Sequence, residues 1–471
     1  MPPNTPARDR PRSEAAATAP MHAANLGSSG VRHAFRCLAV RNYRIWAAGA
    51  LVSNVGTWVQ RVAQNWLVLT ELTRNSATAV GVVMALQFGP HFLLLPFTGH
   101  AADHCNRRRL LFATQASMGL LALGLGVLTV TGHTRLWHVY VFALLLGCVT
   151  AFDSPARQVF VAELVGDAEL PNAVALNSTS FNAARMVGPA VAGAVIAAAG
   201  TGWAFVLNAL SFAAVLLSLA LLDGDQLHGA AAHAGRGPRR GGPLDGLRYV
   251  WARADLRVIV VMLFLIGTFG LNFQIFISTM AVTVFHVGAG RYGLLTSVMA
   301  VGTLVGSLLA ARRQAPGMAQ LLNGATVFGV GCALAALAPS YALFGLALAI
   351  IGASALTFTT TTNSLMQLST EPAMRGRVMA IRLAVAMGTT PVGAPLVGWV
   401  ADRWGARWAL GVAAAAGASA ALVALRYRSR YGDRPGSSGP QSLGRSAAAP
   451  NPPGTRSAAR GHQRQSASGG V

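Results

Sequence analysis

The chain has 471 residues, of which 53% are hydrophobic and only 11% charged, and its mean hydropathy is +0.48. Soluble domains carry about 25% charge, so this composition excludes a water-soluble globular protein and leaves lipid as the solvent. The net charge of +22 would suit a polyanion, but the basic residues are all Arg and gather in the tails and alternate loops. That distribution reads as membrane orientation toward an anionic leaflet, not as nucleic-acid contact.

In chain order, residues 1–42 form a basic tail, disordered over 1–31. Apolar runs follow near 46–70, 78–100, 110–131, 137–162, 174–199 and 203–222. A polar stretch, 223–256, ends in Pro243–Arg257, which reads as an amphipathic interfacial helix. Six more runs lie near 257–285, 291–311, 320–338, 341–366, 377–400 and 408–426, and a Ser/Gly/Pro/Arg-rich tail fills 427–471. Each run is long enough for a hydrocarbon core of about 30 Å and too seldom alternating for a barrel strand. The expectation is an all-α membrane protein of twelve transmembrane helices. These form two six-helix bundles, 43–222 and 257–426, with 223–256 as a cytoplasmic central loop.

An even helix number places both tails on one side. With the tails inside, 29 Arg fall in inside segments and 5 outside, and short loops alone give 8 against 5. Both termini are therefore expected to be cytoplasmic. No cleavable signal segment is visible, and the four Cys suggest neither a pair nor a metal site. The halves also read as a repeat. At an offset of 205, Gly188, Gly193 and Trp203 match Gly393, Gly398 and Trp408, and Gly81 and Gly293 open equivalent helices.

Between the second and third runs lies Gly99-His100-Ala101-Ala102-Asp103-His104-Cys105-Asn106-Arg107-Arg108-Arg109. It resembles the loop signature of the major facilitator superfamily, G-x-L-A-D-R-x-G-R-K, at Gly99, Ala102, Asp103, Arg107 and Arg108, and departs from it at Ala101, His104 and Asn106. The resemblance implies a conformational latch built on Gly99, Asp103, Arg107 and Arg108; the alternative is a positive-inside loop with an incidental acid. The fifth helix carries Gly188, Pro189 and Gly193, small residues and a bend site, similar to the G-P-x-x-G-G element of drug/proton antiporters with Ala192 in place of one Gly. Ordinary small-residue packing is the other reading.

Further segments, Asn42-Tyr43-Arg44, Gly56 to Trp66, Asp153 to Gln158 and Asn208 to Phe212, resemble the enterobactin-exporter-like branch of that superfamily. This implies export of siderophores or drug-like amphiphiles by alternating access, with proton antiport. Asn65 stands where the branch often has Asp, which puts coupling through that site in doubt. Gly398 to Arg407 reads like a second loop signature, but topology places it outside, so it is expected to be a plain external turn.

Charges inside spanning helices are costly and mark functional candidates. Arg61 lies beside Gln64 and Asn65, Asp153 and Arg157 share a face, and Arg185 sits mid-helix. Asp153 either carries a proton or forms a static pair with Arg157. The Arg excess points to an anionic or carbonyl-rich substrate, or to Arg bonding backbone carbonyls. Asn272 and Asn363, with Gln274 and Arg382, are pathway candidates in the second half. Trp58 and Trp66 either stack on cargo or anchor the helices. No phosphate-binding loop, catalytic constellation or metal set is legible, so no cofactor is expected, and a small molecule, protons and the bilayer are the expected partners of a monomer. The alternatives are a facilitator or importer of an anionic metabolite and, from another class, a membrane enzyme or non-transporting receptor.

Overall fold

The computed structural model describes residues 35–94, 97–98, 105–226, 243–311 and 317–432. Gly99 and Asp103 lie outside the described residues. Among those described, the chain is helical almost throughout.

The helices are α1 (Arg41–Trp66, continued by a π-helical turn, Leu67–Leu72), α2 (Ala77–Leu93) and α3 (Arg107–Val130). Then come α4 (Leu136–Gly166), α5 (Ala168–Ala199), α6 (Thr201–Ala220), a short α7 (Pro243–Ala252) and α8 (Ala254–Val284). Next are α9 (Ala289–Ala311), α10 (Met318–Leu337), α11 (Tyr341–Leu368), α12 (Arg375–Trp404) and α13 (Ala406–Tyr431). Ten of these are long and apolar enough to cross a membrane. The three others are α1, which carries many polar residues, α2, which is short, and the ten-residue α7, which packs on α8 and α12. Large apolar side chains such as Leu120, Leu210, Leu217, Leu308 and Leu346 stay exposed on the outer faces, as lipid-facing positions do. The protein is a multi-pass membrane protein.

Several boundaries differ from the hydropathy reading. Helix α1 begins at Arg41 and α13 runs to Tyr431, because Arg-rich turns extend the helices past the apolar stretch. The polar residues 163–173 do not form a loop. Helix α4 continues to Gly166, whose φ of 69° turns the chain, and α5 starts at Ala168. The interfacial helix ends at Ala252, not Arg257: Arg253 is extended and pairs with the fully buried Asp255 at the foot of α8. Burial opposes the Arg253 charge, but its bonds to Asp255 and to the Tyr249 hydroxyl outweigh that and raise its pKa above the ordinary arginine value. Helix α8 is broken, with π-helical turns at Ile266–Gly270 and Met280–Val284.

The internal repeat appears in three dimensions as pairs of close backbone approaches. Gly147 of α4 faces the Gln87 carbonyl of α2, as Gly352 of α11 faces the Met299 carbonyl of α9. Turns with positive φ at Gly200 (93°) and Gly405 (98°) join α5 to α6 and α12 to α13. Helices α1 and α3 pack on α6 as α8 and α10 pack on α13. The two halves meet mainly where α2 lies on α12 and α9 lies on α5.

Candidate functional site

Both inter-half junctions are built from glycines against backbone. Gly81 of α2 meets the Ala394 carbonyl of α12, and Gly293 of α9 meets the Pro189 carbonyl of α5. A Cβ on Gly398 would sit 2.5 Å from the Ala77 carbonyl, and one on Gly193 would sit 2.7 Å from the Ala289 carbonyl. Gly193 and Pro189 thus serve the interface between halves. Gly188 instead receives Trp58 of α1 within its own half, where a Cβ would lie 2.5 Å from the Trp58 Cβ. These contacts close the end of the molecule that carries Ala77, Gly200, Ala289 and Gly405.

The α2–α12 junction carries an additional polar clamp. Asp402, near the end of α12, accepts the Ser76 hydroxyl at 2.9 Å, the Ala77 N–H at 2.6 Å and the Thr78 N–H at 3.0 Å. Ser76 also caps α2 by accepting the Ala79 N–H. The carboxylate therefore sits on the positive end of α2, where unpaired N–H groups and the helix dipole favour an anion. Reading this segment as a plain external turn misses the contact. The signal was present, since an acid at a helix end inside a repeated loop signature is suited to capping, but its partner 325 residues away is not visible in sequence.

Below this closed end lies a central cavity of about 190 Å³ between the halves. Arg61, Asn65, Trp58, Met84, Phe88 and Arg185 line it from the first half, and Phe273, Gln274, Tyr292 and Met299 from the second. Arg61 Cζ is 5.0 Å from the Trp58 ring centroid and 5.8 Å from that of Phe88, and Arg185 Cζ is 5.9 Å from Trp58. Cation–π contact of this kind holds both guanidiniums on the aromatic wall. Arg185 also donates to the Thr303 hydroxyl across the interface at 3.0 Å. The Nε of Arg61 and the Nδ2 of Asn65 are buried without a hydrogen-bond partner among the described residues. Trp66 stacks on Tyr292 at 5.7 Å, again across the halves.

Arg61 also borders a second, more polar space of about 430 Å³, lined by Asp153, Arg157, His91, Asn177 and Asn182. Here Asp153 is held by four donor groups. Its Oδ1 accepts Thr114 Oγ1 at 2.8 Å and Gln115 Nε2 at 2.7 Å, while its Oδ2 accepts Arg157 Nη2 at 3.1 Å and Nε at 3.3 Å. The i,i+4 pair anticipated from spacing is present, and two α3 side chains that spacing could not reveal complete it.

The other sequence candidates separate into distinct places. Gln64 is buried but lines neither space. Asn272 is fully buried at the α8 break, where its Nδ2 donates to the Thr268 carbonyl at 2.7 Å. Asn363 is half-buried on α11 and lines neither space. Arg107 pairs with Glu163 of α4, and Arg108 donates to the Leu219 and Ala220 carbonyls of α6, all within the first half. The Asn42 and Asn208 segments are architectural. Asn42 bonds Asp223 at both N–H and carbonyl, and Gly56 of α1 nests against Ser211 and Asn208 of α6.

The profile of one transporter family, the transmembrane secretion effectors, matches residues 33–441. The chain belongs to this family of major facilitator transporters. It is 26% identical over 356 residues to a staphyloferrin A transporter of Staphylococcus aureus, covering 74% of this chain and 87% of that one. It is 27% identical over 377 residues to the multidrug efflux pump Tap of Mycolicibacterium fortuitum, with coverage of 76% and 88%. It is 23% identical over 334 residues to an enterobactin exporter of Citrobacter koseri, with coverage of 70% and 78%. In fold it is similar to a bacterial homologue of the lysosomal transporter Spinster, inward-facing and unoccupied (TM-score 0.63, 14% identity, 82% of this chain and 94% of that one). It is also similar to a bacterial homologue of the iron transporter ferroportin in an inward-facing state (TM-score 0.62, 16% identity, 83% and 99%). The family and the fold are those of transporters, not of enzymes.

Proposed function

We propose that this secretion-effector protein exports a siderophore or drug-like amphiphile across the cell membrane by alternating access, driven by proton antiport. In this reading all twelve long helices cross the bilayer as two six-helix halves, and the Arg distribution puts both termini in the cytoplasm. The end closed by Asp402 is then extracellular, and the central cavity opens toward the cytoplasm. The observation that carries the proposal is the central cavity lying between two repeat-related halves that pack tightly together at the end carrying Ala77 and Gly405. Relatives named as a multidrug efflux pump and an enterobactin exporter support the direction of transport.

In the opposite state, Asp103 with Gly99, Arg107 and Arg108 latches the cytoplasmic end while the Asp402 clamp opens. Asp153 is the proton carrier in this scheme. Arg157 bonds its Oδ2 in this state, and withdrawal of Arg157 in the opposite one would free that oxygen. The test is transport into inside-out vesicles with and without an inward-acidic pH gradient, using a panel of siderophores and antibiotics. Asp153→Asn should abolish gradient-driven uptake while leaving equilibrium exchange of the same compound intact. Undiminished gradient-driven uptake by that variant would assign the proton elsewhere, and no flux of any compound by the wild type would remove the transport reading.

A further inference from the structure

We infer that the central cavity selects an organic carboxylate with a flat apolar or aromatic body, the carboxylate lying between Arg61 and Arg185 and the body against Trp58. This deepens the transport reading and rests on the cavity being the substrate site.

The argument begins with charge. Arg61 and Arg185 both line the cavity, and no Asp or Glu is among its described lining residues. The one acid in the adjoining space is Asp153, whose two oxygens are already engaged by Thr114, Gln115 and Arg157. The joined spaces therefore carry two guanidiniums not balanced by any lining carboxylate. A half-buried cation with no paired carboxylate is disfavoured, and an anionic ligand bound between the two would offset that cost.

The alternative role, an Arg that ties helices together through backbone carbonyls, is visible elsewhere in this protein and looks different. Arg108 donates to Leu219 and Ala220, and Arg407 donates to the Ala336 and Ala338 carbonyls. Arg61 makes no hydrogen bond among the described residues, and its Nε is shielded and unpartnered. Arg185 uses a single N–H, on Thr303. Most of the ten N–H groups of this pair therefore remain available.

Geometry then narrows the ligand. Both guanidiniums lie within 6 Å of the same ring, Trp58. A carboxylate offers paired acceptors that match the planar donor fork of Arg. The remaining wall is Phe88, Phe273, Tyr292, Met84 and Met299, which suits an aromatic or apolar body, while the two guanidiniums beside it repel a cationic one. A cationic drug is the wrong class for this cavity.

The test is equilibrium binding to the full-length protein in lipid nanodiscs, by calorimetry and Trp fluorescence. The probes are 2-naphthoate, the neutral 2-naphthamide and the cationic 2-naphthylmethylammonium. The carboxylate should bind at least about tenfold more tightly than either isostere. Arg61→Gln and Arg185→Gln should each remove about tenfold of that affinity and weaken the amide, which keeps only a neutral acceptor, by less. Equal or weaker binding of the carboxylate relative to the amide overturns the proposal in the wild type alone, whatever the variants' stability. Unchanged naphthoate affinity in both variants, each folded by its melting transition, overturns the assigned residues. Because binding is read without transport, anion selectivity with no vesicle flux would strike the export reading and spare this one.

Discussion

The two junctions between the halves are related by the internal repeat, yet only one is clamped. Where α2 meets α12, Gly81 and Gly398 bring the backbones together and Asp402 then bonds Ser76, Ala77 and Thr78. Where α9 meets α5, Gly293 and Gly193 make the equivalent approach, but the positions matching Asp402 and Ser76 are Ala197 and Gly288. Close packing is thus shared, but the carboxylate clamp is not: the α9–α5 junction has the Arg185–Thr303 bond deeper in the bundle, and its end is bare. Two like surfaces sliding past each other need only shape; a state that must be held and then released benefits from a bond that can be made and broken whole. The clamped junction is suited to weighting one conformation, and the bare junction to serving as the pivot.

The largest effect should come from destroying the shared element. Gly398→Val and Gly193→Val place side-chain atoms inside contacts that already touch, so both should prevent closure of that end and lower export by about a hundredfold, with overpacking costing about 1–3 kcal/mol or more. Labelling of an engineered cysteine at Thr296, a residue of α9 that lines the central cavity, from the closed side reads the opening directly. If only one variant opens the end, the junctions are not equivalent in packing either. Next in size is Asp402→Asn. It removes hydrogen bonds to a charged acceptor worth about 1.5–3 kcal/mol together, so the open population at that end should rise about tenfold or more. No change in labelling rate would reduce the clamp to a surface contact. The smallest effect belongs to the reciprocal change, Ala197→Asp with Gly288→Ser, which builds a second clamp on the bare junction. A capping interaction of about 1 kcal/mol should slow exchange between states severalfold. Faster exchange would show that the pivot does not accept a bond.

Much of the scaffold was legible because hydrophobic length and Arg bias are one-dimensional signals. Even the repeat could be seen, since Gly188, Gly193, Gly393 and Gly398 stand at one offset. The site was legible only in part. Arg61, Asn65 and Arg185 were singled out because charge and amide groups in apolar helices are costly, and they do meet in the cavity. Gln64, Asn272 and Asn363 satisfied the same rule and do not line it. A polar residue in a lipid-spanning helix has several ways to be satisfied, and Asn272 bonding the Thr268 carbonyl at a helix break is one of them.

From the sequence alone came the solvent, the helical class and the expected division into two halves, because each depends on sums over many residues that no single contact can reverse. Only the tertiary structure decided which charges are partners and which are free. It put Arg107 on Glu163, filled both oxygens of Asp153, left Arg61 facing an aromatic wall, and carried Asp402 to the far end of α2. The physical reason is that a hydrogen bond or ion pair is settled within a few ångströms. Residues hundreds of positions apart reach that distance only once the helices have packed.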